Sequence, residues 1–189
     1  MFEPEYPIRT ERLLLRPFAP GDVDALHAYH RLPEIHTYLY SEPRSRAEVE
    51  ALVAERAGTT ALTEAGQELH LVADLADTGA LVGDCVFFWR SQEHQQGEIG
   101  YIFNPAYGGR GLATEAAVAL LRLGFEGMRL HRITGHLDAR NIASARVLER
   151  AGMRLEAHLV ENEFVKGEWS DELVYAMLCR EWEARQARG

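Results

Sequence analysis

The spacing of apolar residues changes period several times along the chain, and each change predicts a new element of secondary structure. Residues 10–18, with an apolar run at 13–15, read as a strand that stops at a Pro-Gly pair. Asp22 then stands where a helix N-cap is expected, ahead of a first helix. Residues 45–56 predict a second helix, because a Ser-x-x-Glu capping box opens a segment with helical apolar spacing.

From residue 68 onward the pattern indicates strands and helices in turn. Residues 68–74, 80–89 and 97–104 read as strands joined by short turns, which is typical of an antiparallel meander. The remaining predicted elements are a helix over residues 113–128, a strand over 132–137, a helix over 141–151 closed by Gly152, and strands over 153–165 and 172–178. The order β, α, α, βββ, α, β, α, ββ predicts an α/β fold with a single mixed, mostly antiparallel sheet flanked by helices.

Length, charge and cysteine content narrow the class of protein. A chain of 189 residues fits one core, so we expect a single domain over residues 1–189. The net charge of −9 argues against nucleic-acid binding, which depends on neutralising phosphates, and it suits an amine-bearing partner. The sequence shows no leader-like segment and no run of ~20 apolar residues, and Cys85 and Cys179 are too few for a disulfide framework. We therefore expect a cytoplasmic protein without a membrane partner.

A glycine-rich loop separates the predicted strand 97–104 from the helix that follows. Gly109 and Gly111 let the backbone approach a ligand closely, and the helix N-terminus behind them offers unpaired N–H groups. Together these favour an anion such as a pyrophosphate, to which Arg110 adds a cation. The loop lacks the lysine of a Walker A loop and the third glycine of a dinucleotide fingerprint. Taken alone, it is also compatible with a tight turn that binds nothing.

Five motifs in a fixed order extend this picture over nearly the whole chain. They are Pro7-Ile8-x-Thr10-Glu11-Arg12-Leu13-x-Leu15-Arg16-Pro17, Glu98-Ile99-Gly100-Tyr101, Gly109-Arg110-Gly111-x-Ala113-Thr114-Glu115-Ala116, Asn141-x-x-Ser144 with Gly152-Met153, and Glu163-Phe164 with Trp169. With these motifs the sequence resembles the GNAT superfamily of acetyltransferases, and within it the branch of ribosomal-protein alanine N-acetyltransferases. Gly108 departs from the family's loop pattern, Gln/Arg-x-x-Gly-x-Gly/Ala, so at that position only backbone contacts are expected.

The resemblance implies where the donor, acetyl-CoA, binds. Strand 97–104 would splay from strand 132–137, and the pantetheine arm would fill the gap. The implied cofactor contacts are the backbone of Tyr101, Ile102 and Phe103, the loop backbone of Gly109, Arg110, Gly111, Leu112, Ala113 and Thr114, and the side chain of Asn141. Asn141 is also placed to be a plain helix N-cap. No metal is expected, because the His27 and His30 pair lacks a third ligand at a suitable spacing.

The resemblance also implies catalytic roles. Direct transfer needs a neutral amine, so a base is expected, either Glu163 or Glu98 acting through water, with His136 as a further candidate. Ser144 matches the acid that protonates the departing thiolate. Each carboxylate also has a plain structural alternative, an exposed strand edge for Glu98 and a hairpin surface for Glu163, and the Ser144 hydroxyl has one in a bond to its own helix backbone.

The acceptor is the least determined part of the prediction. The branch resembled favours the α-amino group of a protein or peptide. A small amine remains an alternative, whether a polyamine, an amino sugar or an amino-acid derivative, and so does a catalytically silent acyl-CoA-binding module. A homodimer is also left open.

Overall fold

The computed structural model describes residues 1–187, which form an eight-stranded sheet with helices on both faces. The strands are β1 (Ile8–Arg9), β2 (Leu13–Pro17), β3 (Glu68–Leu75), β4 (Leu81–Ser91), β5 (Gln96–Phe103), β6 (Arg132–Asp138), β7 (Arg154–Val165) and β8 (Glu168–Leu178). The helices are α1 (Val23–His30), α2 (Pro33–His36), α3 (Arg46–Arg56), α4 (Leu112–Arg122), α5 (Ile142–Ala151) and α6 (Cys179–Gln186). None of the helices within residues 1–187 is long and apolar enough to cross a membrane.

The sheet order is β1-β2-β3-β4-β5-β6-β8-β7, and every neighbouring pair is antiparallel apart from β5 and β6. The predicted fold class, a mixed and mostly antiparallel sheet flanked by helices, is therefore confirmed. The predicted meander of three strands is β3, β4 and β5. Three short or polar elements, β1, α2 and α6, were not predicted, because two to four residues set no period and α6 buries only Trp182.

Two predicted helix ends differ in their chemistry. Ser45 accepts from the Glu48 backbone N–H, and the Glu48 carboxylate accepts from the Ser45 backbone N–H at 2.7 Å, so that capping box is confirmed. Asp22 precedes α1 as predicted, but its side chain does not cap the helix. It accepts two hydrogen bonds from the Arg16 guanidinium at 2.8 Å instead, because a buried carboxylate is stabilised more by a cation than by a helix N–H.

Each face of the sheet has its own apolar core. One core holds α4 and α5 against side chains such as Phe87, Ile99 and Ile133. The other holds α1 and α3 against Val72 and Ile102. Because side chains alternate along a strand, Tyr101 of β5 points toward α5, and Ile102 points toward α1 and α3.

The parallel pairing of β5 and β6 is short. It begins at Gln96 and Arg132 and ends at Glu98 and Thr134. Beyond that point β5 stays paired with β4, and β6 stays paired with β8 as far as Asp138. The two strands therefore part, and they leave a gap in the middle of the sheet.

Candidate active site

The gap between β5 and β6 opens into a cleft of about 230 Å³. Two backbone hydrogen bonds at the ends of β5 show which residues face which neighbouring strand. Gln95 faces β6, because its carbonyl accepts from the Arg132 N–H, and Asn104 faces β4, because its N–H donates to the Val82 carbonyl. Backbone groups alternate along a strand, so those of Tyr101 and Phe103 face the gap. The side chains that line the cleft include Phe88, Ile102, His136, Leu137, Asn141 and Ser144. Ile102, which the sequence grouped with Tyr101 and Phe103, thus meets the cleft through its side chain.

The α5 side of the gap carries a linked set of polar groups. Asn141 caps α5 by accepting from the Ser144 N–H at 3.0 Å, so its predicted N-cap role is confirmed. The Tyr101 hydroxyl lies 3.0 Å from Ser144 Oγ and donates to Ser144 O at 3.1 Å. Burial raises the pKa of Tyr101 to about 12, although the Ser144 hydrogen bond acts in the opposite direction. Tyr101 therefore remains a neutral phenol beside Ser144 near neutral pH.

The glycine-rich loop has the backbone geometry of an anion site. Gly109 and Gly111 adopt positive φ angles of 74° and 78°, and a Cβ on Gly109 would meet no atom within 4 Å. Gly111 is the N-cap of α4, so the backbone N–H groups of Leu112, Ala113 and Thr114 lie at the helix N-terminus without an intrahelical acceptor. This backbone fits a pyrophosphate, and Arg110, stacked 5.9 Å from the Tyr107 ring, supplies a nearby cation.

Arg12 and Glu115 hold that loop to the start of the chain. Glu115 accepts from the Thr10 hydroxyl and from both the backbone and the guanidinium of Arg12, and Arg12 Nη1 donates to Arg110 O at 2.8 Å. Burial raises the pKa of Glu115, but these hydrogen bonds outweigh it and the net pKa is lowered. We call Thr10, Arg12 and Glu115 the loop clasp. The sequence contained all three in its motifs without showing that they meet.

A second cavity, of about 400 Å³, lies on the opposite face of the sheet from α5. Its lining comes from β4 to β8 and from residues 37–40, which follow α2. The ionisable residues in the lining are Arg90, Glu98, His136, Asp138, Arg140, Glu163, Lys166, Glu168 and Glu172, together with Tyr38 and Tyr40. Five carboxylates against three cations give the lining a formal charge of −2, counting histidine as neutral. We call this the acidic cavity.

Both predicted bases line the acidic cavity. Glu98 lies on the central strand β5 with 17% of its side chain exposed and accepts from Arg90 Nε at 2.9 Å, so it is not an exposed edge carboxylate. Glu163, on β7, accepts from the Tyr40 hydroxyl. Burial and then this hydrogen bond raise the pKa of Tyr40, so Tyr40 is the donor. The structure brings Glu98 and Glu163 to one cavity, and Ser144 lies across the sheet from them.

Three side chains at the site were not found by sequence reasoning. Glu172 accepts from His136 Nδ1 at 2.8 Å, Tyr40 contacts Glu163, and the Tyr101 hydroxyl contacts Ser144. Each contact joins residues that are far apart in the sequence, and it depends on strand register or on a loop that crosses the sheet. The pattern of neighbouring residues therefore does not reveal it. His30, one of the two histidines weighed as a metal pair, is buried, and its Nε2 lies 2.9 Å from Asp84 Oδ1.

Comparisons with known proteins agree with this geometry. Residues 12–154 match the acetyltransferase (GNAT) domain family. The N-acetyltransferase YnaD of Bacillus subtilis (strain 168) is 35% identical over 175 residues, which cover 93% of this chain and 98% of YnaD. YdaF of the same organism, whose name assigns it provisionally to ribosomal N-acetylation, is 31% identical over 114 residues, 60% of this chain and 62% of YdaF.

Solved structures share the fold over almost the full chain. A GNAT-family acetyltransferase from Bacillus anthracis superposes with a TM-score of 0.82 at 33% identity, covering 95% of this chain and 99% of its own. Spermidine N-acetyltransferase from Vibrio cholerae, in complex with CoA and spermine, superposes with a TM-score of 0.76 at 25% identity, covering 92% and 99%. This chain belongs to the GNAT family of N-acetyltransferases, and its donor is acetyl-CoA.

We predict that Gly111→Asp weakens acetyl-CoA binding at least ~10-fold, because a carboxylate would enter the anion site at the α4 N-terminus. The matched control is Gly79→Asp, which has a similar φ of 71° and open space around it but lies in the turn between β3 and β4. Isothermal titration with acetyl-CoA should show a loss only in the first variant. Equal affinities in both variants would remove the anion site from this loop.

We also predict that Glu115→Gln lowers the free energy of unfolding by about 1–2 kcal/mol at pH 7. The folded-state pKa of Glu115 is lowered, so its stabilisation is complete above the unfolded-state value of about 4.3 and is lost as pH falls through the folded-state value. Urea titrations of wild type and variant should therefore differ at pH 7 and converge only once the pH has fallen through the lowered folded-state pKa of Glu115. Glu64→Gln, in an exposed loop, is the control and should change little. A difference that persisted at low pH would contradict the clasp.

Proposed function

We propose that the protein transfers the acetyl group of acetyl-CoA to the α-amino group of a protein or peptide. The observation that carries the proposal is the charge state of the acidic cavity, which joins the β5–β6 gap along Phe88, His136 and Leu137. A donor in the gap and an amine in the acidic cavity would meet at this junction. The net negative lining favours a cationic acceptor over an anionic or neutral one.

Most of the negative charge in the cavity is already neutralised. Arg90 binds Glu98 at 2.9 Å, and Arg140 binds both Asp138 and Glu168, at 2.7 and 2.6 Å. Glu172 is held by His136 and Asn162. Glu163 differs from the other lining carboxylates that the structure describes. Its hydrogen-bond partner, the Tyr40 hydroxyl, cannot carry a positive charge. Arginines therefore already bind three of the five lining carboxylates, and with His136 neutral only Glu163 and Glu172 lack a cationic hydrogen-bond partner within the lining.

This favours an α-amine over a polyamine on two counts. A polyamine carries several ammonium groups and would need several free carboxylates, whereas an α-amine needs one. The cost of deprotonation points the same way. An α-amino group has a pKa near 7.8 and a lysine-like amine one near 10.4, a difference of about 3.5 kcal/mol in reaching the neutral, reactive form.

The predicted residues take the following roles in the proposal. The loop backbone from Gly109 to Thr114 binds the pyrophosphate, and Asn141 lies beside the pantetheine arm. Glu163 binds the acceptor ammonium, and Glu98 adds negative charge beside it. On the other side of the gap Ser144, supported by Tyr101, donates a proton to the departing thiolate. The sheet then separates proton removal on one face from proton delivery on the other.

A polyamine is the second candidate acceptor. It is supported by the relative that was crystallised with CoA and spermine and by the net charge of −2 in the acidic cavity. Against it stand the three cationic side chains in the same lining, Arg90, Arg140 and Lys166. An acyl-CoA-binding module without catalysis is the third reading.

We predict that a panel of amines separates these three functions. Free-thiol release and product mass should be measured with peptides beginning with alanine or serine, the same peptides with blocked N-termini, spermidine, glucosamine and free amino acids. Free peptides should exceed spermidine at least ~10-fold in kcat/KM, the blocked peptides should be inactive, and the added acetyl group should lie on the α-nitrogen. A preference for spermidine would establish the second candidate. Tight acetyl-CoA binding without turnover of any amine would contradict an enzymatic role.

A further inference from the structure

We propose that His136, held by Glu172, is the general base of this site. The inference rests on the proposed acetylation of an amine and assigns its proton-removal step. Glu163 and Glu98, the bases that the sequence suggests, take supporting roles. Strand register brings His136 to Glu172, hydrogen bonds orient its imidazole, and the side chain lies between the two cavities.

Strand register explains why the two side chains meet. In the antiparallel pair β6–β8, His136 lies opposite Val174 and Asp138 lies opposite Glu172. His136 and Glu172 are therefore diagonal neighbours on one face of the sheet, which is within reach of long side chains. On the other side Thr134 pairs with Glu98, so Glu98 is the matching diagonal neighbour across the parallel pair.

The hydrogen bonds fix the orientation of the imidazole. Glu172 is 9% exposed, and its Oε1 accepts from His136 Nδ1 at 2.8 Å while its Oε2 accepts from Asn162 Nδ2 at 2.8 Å. A carboxylate only accepts, so Nδ1 carries the proton and Nε2 holds a free lone pair. Glu98 Oε2 lies 3.9 Å from Nε2, which is too far for a hydrogen bond. An imidazole held at Nδ1 by a carboxylate and free at Nε2 has the arrangement of a general base.

The position of His136 distinguishes it from the two carboxylates. His136 lines both the cleft that leads into the gap and the acidic cavity, whereas Glu98 and Glu163 line only the acidic cavity. Glu98 is also engaged by Arg90, and Glu163 by Tyr40. A base must be within hydrogen-bond reach of the amine as it attacks the thioester. His136 is the candidate that borders both substrates.

The charged and titratable groups around His136 come from every neighbouring strand. They are Glu98 on β5, Arg90 on β4, Glu172 on β8, Glu163 on β7, and Tyr38 and Tyr40 in the segment after α2. The same lining also contains Asp138, Arg140 and Lys166. Arg90 is paired with Glu98 at 2.9 Å, and Glu172 holds the imidazole directly.

The proton and electron balance of the step is complete. His136 Nε2 takes one proton from the acceptor ammonium, and the nitrogen lone pair so freed forms the new C–N bond to the acetyl carbon. The C–S bond breaks, and its electron pair leaves on the sulfur of CoA. The second amine proton passes to water as the amide forms, and Ser144 gives its hydroxyl proton to the thiolate and regains one from water. The proton on His136 returns to solvent, so the amide, free CoA and one proton are the products.

The test combines pH–rate profiles with a spectroscopic measurement. His136→Gln should lower kcat at least ~100-fold at pH 7.5 with unchanged acetyl-CoA affinity, and it should abolish the acidic limb of the kcat/KM profile. Glu172→Gln should keep that limb but move it to lower pH, because the imidazolium loses its carboxylate partner. The matched control is His158→Gln, a histidine–carboxylate pair with Asp171 at 2.6 Å that lines neither cavity, and it should match wild type.

Ring ¹⁵N NMR supplies a readout independent of turnover. Wild type should show the Nδ1–H tautomer of His136, and Glu172→Gln should show a mixture of tautomers. Glu163→Gln, measured alongside, should raise KM more than it lowers kcat and should retain the acidic limb. If wild type turns over an amine and His136→Gln keeps both the rate and the limb, the inference is wrong and Glu163 becomes the base. Failure of wild type with every amine would instead overturn the proposed function.

Discussion

The separation of β5 from β6 is the constraint on which the rest of the site depends. Backbone N–H and C=O groups in the middle of a sheet are strongly stabilised by pairing, and leaving one buried and unpaired costs about 1–3 kcal/mol. Here the pairing stops after Glu98 and Thr134, although both strands continue for several residues. The backbone of Tyr101 and Phe103 is thus available to a ligand that presents amide groups, as a pantetheine arm does.

The same gap organises the chemistry on either side of it. Alternation along β5 sends Tyr101 toward α5, where its hydroxyl meets Ser144, and sends Glu98 toward the acidic cavity. Alternation along β6 sends His136 to that same cavity, where β8 supplies Glu172. A donor held in the gap would then have a proton source on one face and a proton acceptor on the other. The loop clasp fixes the backbone before α4, where the proposed pyrophosphate site would hold the far end of the donor.

Features that are set by residues close together in the sequence could be predicted, and features that depend on distant residues could not. The meander, the capping box at Ser45 and the glycines of the loop are set by neighbouring residues, and the sequence predicted them. The departures arise where distant residues decide the outcome. Asp22 leaves the helix for Arg16, and the end of the predicted helix 113–128 is π-helical over Leu123–Gly127, which the sequence did not predict. Glu172 lies 36 residues from His136, so only the β6–β8 register reveals their contact.

The most direct test of the account is amide hydrogen exchange on binding acetyl-CoA, measured by NMR. If the donor fills the gap as an added strand, the N–H groups of Tyr101 and Phe103 should become strongly protected. The N–H of Asn104, already bonded to Val82 on β4, should change little. Saturating acetyl-CoA that protected the glycine-rich loop but left Tyr101 and Phe103 unchanged would contradict the central role of the gap.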